Sequence, residues 1–271
     1  MSARAILRAS DTNAATLKTM ASKRDSRCLF CLRSEGGFTA QEHPISESIG
    51  NTSVVLPVGV VCDTCNHGVL SVLDQSLAEF LPVKLRRTTL GVRTKDGKVP
   101  LTTFQEGRLL HNGRFAALHG DLSRKSWTEE FRSRRDPRFT VGMATLTGGR
   151  PLRGRHVAQV SRALLKVAFG CAWLEQHELL LSREFNVVRA VILGTQRPSG
   201  YFFMSNEIDE RNTRLSVSYE AIRDGEGNVS LRVHANFYGV VMVTDSRPAP
   251  PPPGLADLGT VVPLADSIDT I

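Results

Sequence analysis

Two short cysteine hooks constrain this chain more than any other feature. Cys28-Leu-Phe-Cys31 and Cys62-Asp-Thr-Cys65 hold four of its five cysteines, with thirty residues between them. A disulfide within a Cys-x-x-Cys pair is strained or redox-active, whereas two such pairs deliver four thiolates to a tetrahedral site from two chain segments. Five cysteines in 271 residues also fall short of a secreted disulfide framework. The hooks therefore point to a structural zinc ion on Cys28, Cys31, Cys62 and Cys65. The gap between them exceeds that of most zinc ribbons, so a segment is looped out. That segment carries Gln41-Glu42-His43-Pro44-Ile45, and Asn66 follows the second hook directly. The remaining Cys171 lies on an apolar helical stripe and reads as a core residue.

The length suits one large domain or two modest ones. No apolar run approaches the eighteen or so residues of a membrane span, and residues 1–8 lack the apolar core of a secretory signal. The expected location is cytoplasmic, with no membrane partner. The net charge is +7, and it is uneven: Lys and Arg outnumber Asp and Glu 22 to 14 over residues 1–150, against 12 to 13 over residues 151–271. This places an expected polyanion-binding surface around the cysteine-bearing half, with basic clusters at Lys84, Arg86 and Arg87 and at Arg132, Arg134, Arg135 and Arg138.

The pattern divides the chain into a basic flexible arm (1–26), a hook module (27–82), an α+β accessory domain (83–246) and a Pro-rich disordered tail (247–271). Within the module, Phe38 to Gln41 reads as a short strand delivering Glu42 and His43, and Val54 to Val58 as a second strand that Pro57 confines to an edge. From Asp63 the spacing of Val69, Leu73, Leu77 and Phe80 predicts a helix that Pro82 ends. Beyond it, Lys95-Asp-Gly-Lys98 and His111-Asn-Gly-Arg114 are hairpin signals. Val157, Val160, Leu164, Val167, Cys171 and Leu174 line one face of a predicted helix over 156–181. Strands are predicted at 187–193, 201–205, 215–222 and 229–243, with a tight turn at Asp224 to Asn228. The expected class is α+β: a zinc-stapled ββα unit followed by a mixed β-hairpin and long-helix domain.

Cys28-Leu-Phe-Cys31, Glu42-His43-Pro44-Ile45 and Cys62-Asp-Thr-Cys65-Asn66 together resemble the zinc-stapled subgroup of the HNH endonucleases, whose fold is the ββα-metal module. The resemblance covers about 55 residues, from Cys28 to Phe80. It implies a metal-dependent endonuclease that hydrolyses phosphodiester bonds in DNA. His43 would be the general base that deprotonates the attacking water, a role suited to an imidazole whose pKa lies near working pH. Glu42 and Asn66 would hold a catalytic divalent cation, Mg²⁺ or another, acting as a Lewis acid. One site per chain nicks a single strand, and a dimer would cut both. Three positions depart from the family pattern. Glu42 stands where Asp is the commoner acid. Pro57 stands where an Asn that braces the loop of the base is usual, and Pro44 follows the base directly. The rival expectation is a non-catalytic zinc module that binds nucleic acid or protein on the same scaffold. A thiol redox protein lacks its βαβ context here. His67 reads as a surface or phosphate-contacting residue, and Asp74 as solvent-facing or paired with an Arg.

Overall fold

The computed structural model describes residues 3–8, 27–94, 96–103, 107–111, 116–122, 125–131, 154–205, 208–209, 211–247 and 250–264. It is a mixed α+β structure with two antiparallel sheets. The larger sheet has strand order β1-β7-β8-β9-β6-β10, formed by β1 (Ala3–Arg8), β6 (Tyr201–Ser205), β7 (Leu215–Arg223), β8 (Val229–Phe237), β9 (Val240–Asp245) and β10 (Gly259–Pro263). The smaller has order β2-β3-β4-β5, formed by β2 (Thr102–Thr103), β3 (Gly107–His111), β4 (Ala116–Leu122) and β5 (Lys125–Phe131).

Helices among the described residues include α1 (Ser71–Ala78), α2 (Leu81–Leu90), α3 (Gly154–Leu180), α4 (Asn186–Leu193) and α5 (Leu255–Leu258). The long helix α3 is the axis of the molecule. It packs on β6, β7, β8 and β9 and also on α1, so the cysteine module and the larger sheet cover the same helix. Val157, Val160, Leu164, Val167 and Cys171 are buried on it, as their periodicity predicts. Burial raises the Cys171 thiol to about 12, in keeping with an inert core residue. By length and composition this helix could cross a membrane, but 83% of its most apolar window is buried within the protein.

One continuous apolar core runs from Cys28, Leu29 and Phe30 through α3 to the sheet residues Val217, Leu231 and Val233. Aromatic contacts bind its parts: Phe30 meets Phe169 of α3 at 5.9 Å between ring centroids, Phe169 meets Phe185 at 5.7 Å, and Phe80 meets Phe202 of β6 at 6.1 Å. The boundary expected at residue 82 therefore does not separate two cores. Pro82 does not simply end a helix either. It lies in the first turn of α2, where its missing N–H costs nothing.

Several expectations are corrected. Residues 187–193, expected as a strand, form α4. Val188, Val191 and Ile192 are buried at helical spacing, and Gly194 stops the helix in the left-handed conformation. The β-branched content that suggested a strand is outweighed by packing against α3 and β8. The run 229–243 is two strands, because Tyr238 (φ 59°) and Gly239 (φ 93°) make a two-residue hairpin turn between β8 and β9. The basic arm contributes β1, which pairs with β7; its residues 9–26 lie outside the described part. The tail contributes α5 and β10, the latter paired with β6 through the β-branched run after its prolines. Thr94 N donates to Lys98 O, so the first signal marks a turn, but it joins helix α2 to β2 and not two paired strands; β3 pairs with β4 around the second, whose residues 112–115 are not described. The basic cluster Lys84, Arg86 and Arg87 is no polyanion surface. Arg86 and Arg87 are buried, with Arg86 Nε donating to Tyr238 O at 2.7 Å, and Lys84 is paired with Glu79. The cluster Arg132 to Arg138 lies outside the described residues.

Candidate metal centre and the loop beside it

The four hook sulfurs all lie within 4.8 Å of one another, and Cys31 Sγ is 3.7 Å from Cys62 Sγ. Four sulfurs placed tetrahedrally at a Zn–S distance of about 2.3 Å have edges of about 3.8 Å. The donor set and its spacing thus fit zinc. Local backbone geometry builds each hook. Leu32 takes a left-handed φ of 59°, letting Leu32 N donate to Cys28 O and Cys28 N to Arg33 O. The second hook opens a helical turn, with Asn66 N donating to Cys62 O at 3.0 Å. The cysteines are buried apart from the half-buried Cys31. A hydrogen bond with Cys65 draws Cys28 down to about 5, while burial pushes Cys62 up to about 11. Cys65 is pushed upward, chiefly as the partner of Cys28.

The looped-out segment returns against this cluster. Asp63, inside the second hook, accepts from Thr39 N at 3.0 Å, Thr39 Oγ1 at 2.8 Å and Ala40 N at 2.8 Å. These bonds, the Ala40 amide foremost, hold its carboxyl below the usual range. Asn66 Nδ2 donates to Gln41 O at 3.3 Å. The residue after the second hook and the residue before Glu42-His43 are thereby joined.

The two strands expected here reduce to one antiparallel bridge, Glu42 with Leu56, in which Leu56 N donates to Glu42 O at 2.8 Å. The ladder cannot lengthen because its donors are engaged or missing. Pro44 and Pro57 have no N–H, Ala40 N is bound to Asp63, and Val54 N is bound to Asn51 Oδ1 at 2.9 Å. Asn51 is the brace of this loop. It is buried, and its Nδ2 donates to Ile45 O at 2.6 Å and to Val54 O at 2.8 Å. Asn51 thus braces this loop from within. Tyr238, at the β8–β9 turn, donates its hydroxyl to Ile49 O at 2.6 Å and ties the larger sheet to the same loop.

Glu42 is 3% exposed, and its carboxylate lies 2.5 Å from Lys166 Nζ of α3. The same ammonium donates to Asp74 Oδ1 at 2.8 Å, to His43 O at 2.9 Å and to Pro44 O at 3.3 Å. Asp74 therefore pairs with a lysine, neither with an arginine nor freely with solvent. Burial raises Glu42 and Asp74 above the usual carboxylate range, against the pull of Lys166. Burial works against the Lys166 ammonium too, but Asp74 and Glu42 outweigh it, and its pKa is raised. His43 is half-buried. Its Nε2 lies 3.5 Å from Glu47 Oε1, and its Nδ1 is buried with no hydrogen-bond partner among the described residues. His67 is exposed.

Lys166, Asn51, Asp63 and Tyr238 were not singled out by sequence. One had a signal: Lys166 is the single charged residue between Ala163 and Leu174, an otherwise apolar helical run. Compared with protein-family models, curated proteins and solved structures, the chain matches none.

Proposed function

We propose that this chain is an HNH-type endonuclease built on a zinc-stapled ββα-metal module, hydrolysing phosphodiester bonds in DNA with His43 as general base. The observation that carries this reading is the convergence of its motif. Asn66, just past the second hook, bonds to Gln41 beside Glu42-His43, across 25 positions of chain. His43 Nδ1 is buried while the ring remains partly open, so Nε2 is the nitrogen that can take a proton from water. Glu47, one turn of chain further on, stands where it stabilises the imidazolium that results. Excess positive charge in residues 1–150 favours a polyanionic substrate. Zinc, when bound, supplies a covalent-strength cross-link between the two ends of the loop.

The resemblance also assigns a divalent cation, Mg²⁺ foremost, to Glu42 and Asn66. Asn66 keeps a side-chain oxygen to offer, but Glu42 Oε1, buried and without a hydrogen-bond partner among the described residues, faces the ammonium of a fully buried lysine at 2.5 Å. That ligand pair does not fit a divalent cation. The same ion pair favours the second reading, a non-catalytic zinc module that binds nucleic acid. Nicking of supercoiled plasmid in Mg²⁺ or Mn²⁺ separates the two. The expected result is cleavage by the zinc-loaded wild type and a loss of about 100-fold or more in His43→Ala, the scale of a general base. Tight DNA binding with no cleavage would support the binding module, and equal cleavage by His43→Ala would remove His43 from the chemistry.

A further inference from the structure

We propose that Lys166 is the resident cation of the Glu42–Pro44 loop, and that Glu42 serves as its partner and not as a ligand of a divalent ion. Glu42, Asp74 and the carbonyls of His43 and Pro44 surround the ammonium with four oxygens, two of them anionic. Such a buried, oxygen-only donor set is what a hard divalent cation takes in other proteins. Here the positive charge comes from a side chain of the central helix. Lys166 is fully buried, and its backbone is fixed by the core packing of Leu165, Val167 and Phe169. One turn on, Gly170 leaves room for Pro44: a Cβ there would lie 3.0 Å from Pro44 Cβ. Lys166 and Gly170 thus share the face on which the loop docks.

For Glu42 to bind a divalent ion, that ion would have to approach an ammonium in a buried site, where like charges repel strongly. Lys166 would then keep only Asp74 as its anion. The ammonium does for this loop what a metal does elsewhere: it gathers oxygens from Glu42, His43, Pro44 and α1 onto one point and sets the backbone of His43. Any divalent ion used in catalysis is then bound without Glu42.

The test is Mn²⁺ binding to the zinc-loaded full chain, followed by electron paramagnetic resonance, in wild type and Glu42→Gln. Removing even an outer-sphere partner of a metal costs about 10–100-fold in affinity. The expected result is that the two proteins bind Mn²⁺ within that margin of each other, or that neither binds. A loss of about tenfold or more in Glu42→Gln overturns the proposal. If Glu42→Gln fails to fold, crystals of the wild type soaked in Mn²⁺ decide. An anomalous peak at about 2.1 Å from a Glu42 oxygen overturns the proposal, and the lack of one at that distance supports it. The readout is metal binding, so it stands apart from the outcome of the plasmid assay.

Discussion

At the scale of single residues, Asn51 shows how much of the loop rests on one side chain. Its amide group donates to Ile45 O and Val54 O and accepts from Ser53 N and Val54 N, between His43 and the bridge at Leu56. Replacing it with alanine removes little volume but strands buried carbonyls, and an unmade buried hydrogen bond costs more than a small cavity of this size. Asn51→Ala is expected to lose about 2–4 kcal/mol of stability, measured by denaturant unfolding of the zinc-loaded protein. An unchanged midpoint would mean that the loop holds its shape through Lys166 and Tyr238 alone. The same scale explains why Glu42 and His43 behave so differently although adjacent. Successive extended residues face opposite ways, which buries Glu42 against α3 and leaves His43 partly open.

At the scale of elements, α3 does two tasks with one surface. Its apolar stripe supports β6 to β9, while Lys166 and Gly170 receive the Glu42–Pro44 loop. Glycine normally weakens a helix by about 1 kcal/mol relative to alanine, so a larger residue at 170 brings two opposed effects. Intrinsic helix propensity rises, yet a side chain has no space beside Pro44. Overpacking of a filled core costs about 1–3 kcal/mol, which exceeds the gain for a residue as large as leucine. Gly170→Leu is therefore expected to lower the thermal midpoint of the zinc-loaded protein, followed by circular dichroism. A raised midpoint would show that the loop yields easily and that propensity wins. At its C-terminal end α3 is closed by Arg189 of α4, which donates to Leu180 O at 2.6 Å, so the two helices fold back as a unit.

For the whole molecule, the cysteine cluster is part of a continuous core, so a metal held there would support more than a local knuckle. Structural zinc contributes about 10–16 kcal/mol in small modules, as much as the net stability of an entire domain, about 5–15 kcal/mol. One zinc per chain is expected by elemental analysis, with Cys62→Ser losing it and loosening the fold. Full retention of zinc in that variant would break the assignment. The pH dependence has a definite sign. It does not come from the free thiols, which are shifted in opposite directions, Cys28 down to about 5 and Cys62 up to about 11, but from the metal, whose ligands must be deprotonated. Protons compete with zinc for the same thiolates. Zinc occupancy is therefore expected to be complete at neutral pH and to fall on acidification towards pH 5, read with a colorimetric chelator. Release on raising the pH instead would contradict it.

The sequence by itself determined what depends on spacing along the chain. The Cys-x-x-Cys pairs meet, since each hook is a local turn and four soft ligands gain from one centre. Helix α3 was legible because its stripe repeats every three to four residues from Val157 to Leu174, and β6 and β7 because each alternates or runs apolar between clear stops. Tertiary structure alone decided what depends on distant partners. Residues 187–193 are helical because α3 and β8 cover their apolar face. Arg86 is buried with its Nε on Tyr238 O, and Arg87 with only its Nη1 bound, to Ala78 O, although their charges read as surface. Glu42 meets Lys166 across 124 positions of chain, a pairing with no local trace. Short-range pattern records hydrogen-bond period and ligand geometry; which carboxylate a buried ammonium neutralises is settled only when the core closes around both.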